Sequence, residues 1–466
     1  MIDYHGWIAK KSTVAPRAGL TVDPAELGSH LFPFQRDLTQ WALKKGRAAL
    51  FADTGLGKTV MQLEWARHVS PQGRVLILTP LAVAQQTVEE AARFESSFGF
   101  GARYQTNDDA ADEDWDGVIV TNYDRLQNFD PARFAGVVLD ESSILKNMNG
   151  ATRNLLIEMF AETPYKLCCS ATPAPNDFTE LGNHSEFLGA KSRVEMLSEY
   201  FVHDGGSTAD WRLKGHAVSA FWEWIASWGA FVKRPSDLGY SDEGFNLPPL
   251  NVQTRMVEVD HDDAAKMGRL FADNVRTLNE GRQTRRATMS KRIAEAVELT
   301  RGTEPALVWC ELNDEADAVT AAIDGAVQVA GSDDPEVKIE RLLGFAQGKY
   351  RVLVTKAKIA GAGLNLQRCS RMVFMGVSHS YEQMYQSIRR CWRFGQTKPV
   401  DVTIIMAETE GGILENYRRK EAEAEKLSAE MTARIADYVR RDVRGMNPKR
   451  WNEYNPKQTM RLPEWM

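Results

Sequence analysis

The chain has 466 residues, a formal net charge of -6, and 43% hydrophobic and 26% charged residues. That length exceeds what one hydrophobic core usually supports and points to roughly two to four domains. The composition excludes a disordered or fibrous chain, and a pI near 5.9 excludes coating of nucleic acid through overall charge, so any such contact must come from local basic patches.

Taken in chain order, Met1 to Lys11 lacks the apolar core of a signal peptide, and no run nears the roughly 18 apolar residues that a membrane span needs. Residues 1–24 are an N-terminal extension. From Leu31 to about Arg234, short apolar runs alternate with amphipathic stretches, the β-α rhythm of an α/β fold with a parallel sheet. Its clearest strands are Ala48–Ala52, Val75–Thr79, Gly117–Thr121, Val137–Leu139 and Tyr165–Ser170, and residues 25–242 form a first lobe. Asp204 to Thr208 is Gly-rich, Trp211 to Trp228 carries four tryptophans, and residues 243–250, with Pro248-Pro249, form a linker. A second rhythm over 251–410 places strands at Pro305–Cys310, Ala326–Ala330, Arg351–Thr355, Met372–Met375 and Val400–Met406. Residues 411–466 are a C-terminal extension: a long helix over Gly411–Tyr438, then a basic, Trp-containing tail. The five cysteines, Cys168, Cys169, Cys310, Cys369 and Cys391, contain no C-x-x-C pair, which argues against a disulfide framework or zinc ribbon and for a reducing cytoplasm.

Chemistry is expected just after the strands, because open α/β sheets bind ligands at the carboxyl ends of their strands. Asp53-Thr54-Gly55-Leu56-Gly57-Lys58-Thr59 follows such a strand and precedes a helix, the context of a phosphate-binding loop, with Ala52 in place of the pattern's first glycine. Its glycines let backbone N–H groups curl around phosphates, Lys58 can reach the β- and γ-phosphates, and the Thr59 hydroxyl can hold Mg²⁺. Val137-Val138-Leu139 ends in Asp140 and Glu141, where Asp140 can join the Mg²⁺ shell and Glu141 can polarise an attacking water.

With these motifs in place the chain resembles a superfamily 2 helicase or translocase motor. Leu31-Phe32-Pro33-Phe34-Gln35 resembles that family's adenine-reading element, with Gln35 the implied adenine contact. Leu78-Thr79-Pro80 and Val120-Thr121-Asn122-Tyr123 resemble the segments that hold the nucleic-acid backbone, and Ser170-Ala171-Thr172-Pro173 the element coupling the γ-phosphate site to the DNA track. Gly361-Ala362-Gly363-Leu364-Asn365-Leu366 and Gln386-Ser387-Ile388-Arg389-Arg390-Cys391-Trp392-Arg393-Phe394-Gly395-Gln396 resemble the last two motifs. Their spacing is similar to the Swi/Snf branch, whose members translocate on duplex DNA, and Phe231-Val232-Lys233-Arg234 followed by Leu247-Pro248-Pro249 resembles that branch's inter-lobe connection.

The resemblance implies two tandem RecA-like parallel-sheet lobes with an ATP cleft between them, plus the helical C-terminal extension. It implies ATP and Mg²⁺ as cofactors, with Gly363 and Asn365 on the nucleotide and Gln386 in coupling. Arg390 and Arg393 would face Lys58 across the cleft and meet the γ-phosphate only when the lobes close, a contribution of about 10³ to 10⁵ in rate. The expected activity is DNA-stimulated, Mg²⁺-dependent ATP hydrolysis driving movement along double-stranded DNA and displacement of bound proteins. The alternatives are a strand-separating helicase on single-stranded DNA or RNA, and an ATP-gated clamp that recruits a separately encoded protein partner such as a nuclease or methyltransferase. No membrane partner is expected. The compact build resembles a bacterial or phage motor, acting in the cytoplasm. One departure stands out: Ser142-Ser143 occupy positions where such helicases often carry Ala-His or Ala-Asp, which puts coupling through that position in question.

Weaker signals have blander readings. Arg282, Arg285, Arg286, Lys291 and Arg292 read as an exposed basic helix face before a phosphate grip. Arg440, Arg441, Arg444, Lys449, Arg450, Trp451 and Arg461 read as a tail docked on the motor before a DNA contact. Trp211, Trp222, Trp224 and Trp228 read as packing, and His203 and His216 lack metal-ligand spacing.

Overall fold

Most strands in this chain are continuous apolar runs rather than alternating ones, the pattern of parallel strands buried on both faces. The computed structural model describes residues 19–94, 101–108, 117–146, 150–203, 211–267, 278–360, 364–377 and 380–443. In the first lobe β1 (Arg47–Ala52), β2 (Val75–Thr79), β3 (Ala102–Tyr104), β4 (Val118–Asn122), β5 (Gly136–Asp140), β6 (Tyr165–Cys169) and β9 (Gly229–Val232) form one parallel sheet in the order β3-β4-β2-β5-β6-β1-β9. A hairpin of β7 (Phe201–His203) and β8 (Trp211–Leu213) stands apart. In the second lobe β10 (Leu250–Val257), β11 (Ala306–Cys310), β12 (Ala326–Gln328), β13 (Val352–Lys356), β14 (Arg371–Phe374) and β15 (Val400–Ala407) form a second parallel sheet, in the order β10-β15-β14-β11-β13-β12.

The helices that matter for the site are α1 (Pro33–Lys45), α2 (Lys58–Val69), α3 (Leu81–Arg93), α4 (Val218–Ala226), α5 (Leu278–Ala287), α6 (Met289–Leu299), α7 (Tyr381–Ile388) and α8 (Gly411–Val443). The last spans 33 residues, about 50 Å at 1.5 Å per residue. It straps the lobes together: Ile413 and Tyr417 are buried in the second lobe's core, whereas Met431, Ile435 and Val439 are buried in the first lobe's. At its far end Asp442 pairs with Lys45 at 2.7 Å and accepts from Trp41 Nε1 at 3.0 Å. Arg440 donates to the Asp237 carbonyl at 3.0 Å, a docking contact, while Arg444, Lys449, Arg450, Trp451 and Arg461 lie outside the described residues.

All ten strands expected from the sequence form, within two residues of their expected bounds. Besides the β7–β8 hairpin, three strands of the two large sheets go unread in it. Ala102–Tyr104 is a three-residue edge, Gly229–Val232 follows the tryptophan cluster directly, and Leu250–Val257 is a largely exposed edge strand of mixed polarity rather than an apolar run. In the basic stretch 282–292 Arg282 and Arg286 are exposed, as the helix-face reading expects, but the other three side chains turn inward or pair with acids. Arg292 is fully buried against Glu410, Arg285 is buried with its guanidinium on the Val377 carbonyl, and Lys291 pairs with Asp260 at 2.7 Å and Asp263 at 2.6 Å. Trp222, Trp224 and Trp228 are buried in the first lobe's core, as packing residues.

Lys166, on β6, is buried with its ammonium on the Phe187 and Ala161 carbonyls at 2.9 and 3.3 Å. Burial pulls its pKa from the ordinary 10.5 down to about 8. Between those two values the unfolded chain holds a proton that the folded chain has released, so stability rises with pH across that window. Relative to Lys166→Met, the wild-type protein is expected to gain on the order of 3 kcal/mol between pH 8 and 10.5. Denaturant melts of both proteins across that range check this; a constant difference would rule it out.

Candidate active site

Three neighbouring strands of the first sheet, β5, β6 and β1, end side by side. Their ends deliver Asp140-Glu141, Ser170 and the loop Asp53–Gly57, so residues distant in sequence meet at one sheet edge. The loop turns on glycines. Gly55 has φ +93 and a Cβ there would lie 2.8 Å from the Phe394 backbone nitrogen of the second lobe; Gly57 has φ +77 and a Cβ there would lie 2.3 Å from Gln35 Nε2. Only glycine tolerates both the left-handed backbone and the close approach. Gly57 caps the N-terminus of α2, so the first helical N–H groups face the cleft beside Lys58 and Thr59.

A cleft of about 340 Å³ between the lobes is lined by Thr54, Gly55, Gly57, Lys58, Thr59, Asp140 and Glu141 from one side and Asn365, Arg390 and Arg393 from the other. That volume falls in the range of small-molecule sites. Lys58 Nζ donates to the Ala52 carbonyl at 2.8 Å. Burial lowers its pKa against the opposing pull of Glu141, Asp53 and Asp140. Burial likewise lowers the pKa of Arg390, and that of Arg393 to about 10, which leaves the Arg393 guanidinium charged at neutral pH. Asp140 is shifted the other way, upward, by burial and by the neighbouring Glu141, while Gln62 Nε2 donates to its Oδ1 at 2.7 Å. Three cations converging with two carboxylates in a partly dry cleft suit a polyanion whose charge is redistributed during reaction.

Glu141 has φ +57, the one positive φ among the described non-glycine residues. Backbone of this kind is costly and concentrates at functional sites. Its carboxylate accepts from Ser170 Oγ at 3.1 Å, and Thr172 N donates to that same Oγ at 3.1 Å. Thr172 Oγ1 in turn donates to Glu382 Oε1 at 3.2 Å and accepts from Gln386 Nε2 at 3.4 Å. Hydrogen bonds through Ser170 and the two ends of Thr172, its backbone N and its Oγ1, therefore link Glu141 to α7 of the second lobe. Ser142 takes no part in this path, because its hydroxyl lies 3.2 Å from His184 Nε2 inside the first lobe.

Of the residues singled out in the sequence, Gln35, Thr54, Gly55, Gly57, Lys58, Thr59, Asp140, Glu141, Asn365, Arg390 and Arg393 line this one cleft. Gln35 spends both amide ends internally, donating to the Leu56 carbonyl at 2.9 Å and accepting from Phe32 N at 3.0 Å, so it fixes the loop's outer turn. Leu56 is buried. Asp53 is not in the cleft wall; its carboxylate turns behind the loop. Gly363 lies outside the described residues. Thr79, Thr121 and Asn122 are buried; Pro80 caps α3, and Tyr123 donates to the Asp140 carbonyl at 2.7 Å.

Sequence reasoning passed over Arg389, Tyr385 and Glu382 as site residues, and Phe245 and Phe394, which pack with Phe32 at the cleft mouth. The signal for the first group was present: 382, 385, 386 and 389 share one face of a helix.

Two parallel α/β lobes, a phosphate loop on one and arginines facing it from the other define a class, the ATP-hydrolysing motor of the helicases. Residues 32–181 match the DEAD/DEAH box helicase family and residues 290–395 the helicase conserved C-terminal domain. The chain belongs to superfamily 2, as a helicase of the Swi/Snf type. It is 27% identical over 170 residues to "SWI/SNF-related matrix-associated actin-dependent regulator of chromatin subfamily A-like protein 1" of Xenopus tropicalis, covering 36% of this chain and 18% of that protein. It is 21% identical to "Protein CHROMATIN REMODELING 24" of Arabidopsis thaliana, covering 93% of this chain and 50% of that one. The chain thus spans half or less of the length of these relatives. Among solved structures, "Sulfolobus solfataricus SWI2/SNF2 ATPase core in complex with dsDNA" aligns with 91% of this chain and 99% of its own at 18% identity and a TM-score of 0.40. Among the described residues no helix is long and apolar enough to cross a membrane.

Proposed function

We propose that this chain is a DNA-stimulated, Mg²⁺-dependent ATPase that moves along double-stranded DNA and displaces proteins bound to it. The observation that carries the reading is the placing of Arg390 and Arg393 opposite Lys58 and Glu141 in one inter-lobe cleft, with Glu141 joined through Ser170 and Thr172 to α7. Lys58 and the loop amides bind the β- and γ-phosphates, Glu141 orients the attacking water and accepts its proton, and the two arginines take up charge on the γ-phosphate. Thr59 and Asp140, a hydroxyl and a buried carboxylate beside the phosphate loop, are a donor set that fits Mg²⁺, which when bound would neutralise phosphate charge. Because the arginines belong to the other lobe, hydrolysis removes part of what holds the lobes together, and repeated closure and release can advance the chain along a strand.

The test is the steady-state ATPase rate without nucleic acid and with single-stranded DNA, blunt duplex DNA or RNA, at one fixed salt concentration because such binding is salt-dependent. Blunt duplex alone is expected to raise the rate at least about tenfold, a lowering of the barrier by roughly 1.4 kcal/mol. Stimulation confined to single strands or RNA would replace the duplex translocase with a strand-separating helicase. No stimulation at all would leave an ATP-gated clamp awaiting a protein partner.

A further inference from the structure

Helix α7 presents Glu382, Tyr385 and Gln386 on one face, which Arg389 at its C-cap continues, and all four meet the first lobe. Glu382 pairs with Lys146 and accepts from Thr172, close to the Glu141 network. At the other end Tyr385 Oη donates to Asp53 Oδ1 at 2.8 Å, and Arg389 pairs with Asp53 at 2.6 Å and donates to the Thr54 carbonyl at 3.1 Å. The Arg389 guanidinium also lies over the rings of Tyr385 and Trp392, 5.7 and 5.0 Å from their centroids. One rigid helix face thus touches the phosphate loop from behind and the Ser170–Thr172 segment from the side.

We propose that Asp53, Tyr385 and Arg389 form a clasp behind the phosphate loop that stabilises the closed lobes and so acts as a positioning device for Arg390 and Arg393, without touching nucleotide. Arg390 and Arg393 follow Arg389 by one and four residues, so anchoring Arg389 to Asp53 and Thr54 sets where they stand relative to Lys58. Separating the lobes must break this charge pair, in which Arg389 is only 7% exposed, and water at the closed interface screens it little. Closure therefore has a source of stability besides the γ-phosphate, and ATP turnover depends on an arginine outside the cleft.

This inference rests on the ATPase reading above, and its test separates the two. Lys44 on α1 and Asp324 in the second lobe are both exposed, and all five native cysteines are buried, so Lys44→Cys and Asp324→Cys accept a fluorophore pair that reports lobe separation without any turnover. In that background Arg389→Gln is expected to lengthen the inter-lobe distance. In the unlabelled protein it should lower kcat at least about tenfold while ADP affinity stays within about twofold, since ADP leans on the first lobe. Tyr385→Phe, a gentler change that loses one hydroxyl, should lower kcat about threefold. The Asp53→Asn/Arg389→Gln double variant should be no slower than the worse single one, because each single change already opens the clasp. Single effects that multiply in the double variant, an unchanged inter-lobe distance, or an ADP affinity that falls as far as kcat would each overturn the clasp. A wild-type protein without turnover would defeat the functional reading instead, and the distance measurement would still decide the clasp.

Discussion

Glu141→Gln is expected to lower ATP turnover by about 10²- to 10⁴-fold, the range for loss of a general base, while ATP binding stays within about threefold. The expectation comes from what the substitution preserves. Glutamine has nearly the same volume and its carbonyl oxygen can still accept the Ser170 hydroxyl that now meets Glu141 at 3.1 Å. The left-handed backbone at φ +57 is set by the strand end and the buried Ser142 that follows, and both residue types suffer it alike. Lys58 and the loop amides, to which the proposed function assigns phosphate binding, are untouched. What disappears is the group able to take a proton from water. Single-turnover hydrolysis paired with binding of a fluorescent ATP analogue measures the two effects separately. Turnover within threefold of wild type would mean that another group activates the water, with Asp140 and Glu90 the other carboxylates in the cleft wall.

The difference between what could and could not be read in the sequence is one of distance along the chain. The phosphate loop and the Val137–Glu141 strand announce themselves because each is contiguous, and the glycines of the loop are demanded by backbone geometry within that same stretch. Apolar runs such as Val75–Thr79 are equally plain, since strands buried on both faces leave no polar residue to blur the pattern. Leu250–Val257 escaped because an edge strand with mostly exposed side chains carries no such run. The Asp53–Arg389 pair escaped for another reason: its partners stand 336 residues apart, and nothing in Asp53-Thr54-Gly55 says that the carboxylate leaves the loop on the side away from the cleft. Arg285 and Arg292 misled for the same reason, because charge reads as exposure until its partner is known. Helical spacing alone did group Glu382, Tyr385, Gln386 and Arg389, and attention to it would have recovered the face that joins the lobes.

Glu410→Ala should cost about 3–5 kcal/mol in the stability of the second lobe, the penalty for leaving a buried charge without its partner. Arg292 is fully buried, with Nη1 on the carbonyls of Met375 and Ile405 at 2.8 and 2.9 Å and Nε on Thr288 Oγ1 at 2.9 Å. Those are neutral acceptors; Glu410, itself 1% exposed, supplies the opposing charge, and Arg285 Nε lies 3.7 Å from its other oxygen. Glu410 also accepts from the Ala407 backbone at 2.8 Å and directly precedes α8, so the same change loosens the start of the strap between lobes. A fall in melting temperature on the order of 10 °C is expected. The converse substitution distinguishes a destabilising orphan charge from a needed salt bridge. Arg292→Met combined with Glu410→Leu removes both charges and keeps apolar volume, and buried ion pairs replaced in this way are often nearly neutral. The double variant should therefore melt well above Glu410→Ala. A double variant as unstable as the single one would show that Arg292 holds the lobe together through its carbonyl contacts to Met375, just after β14, and to Ile405 on β15, and that the charge on Glu410 matters little.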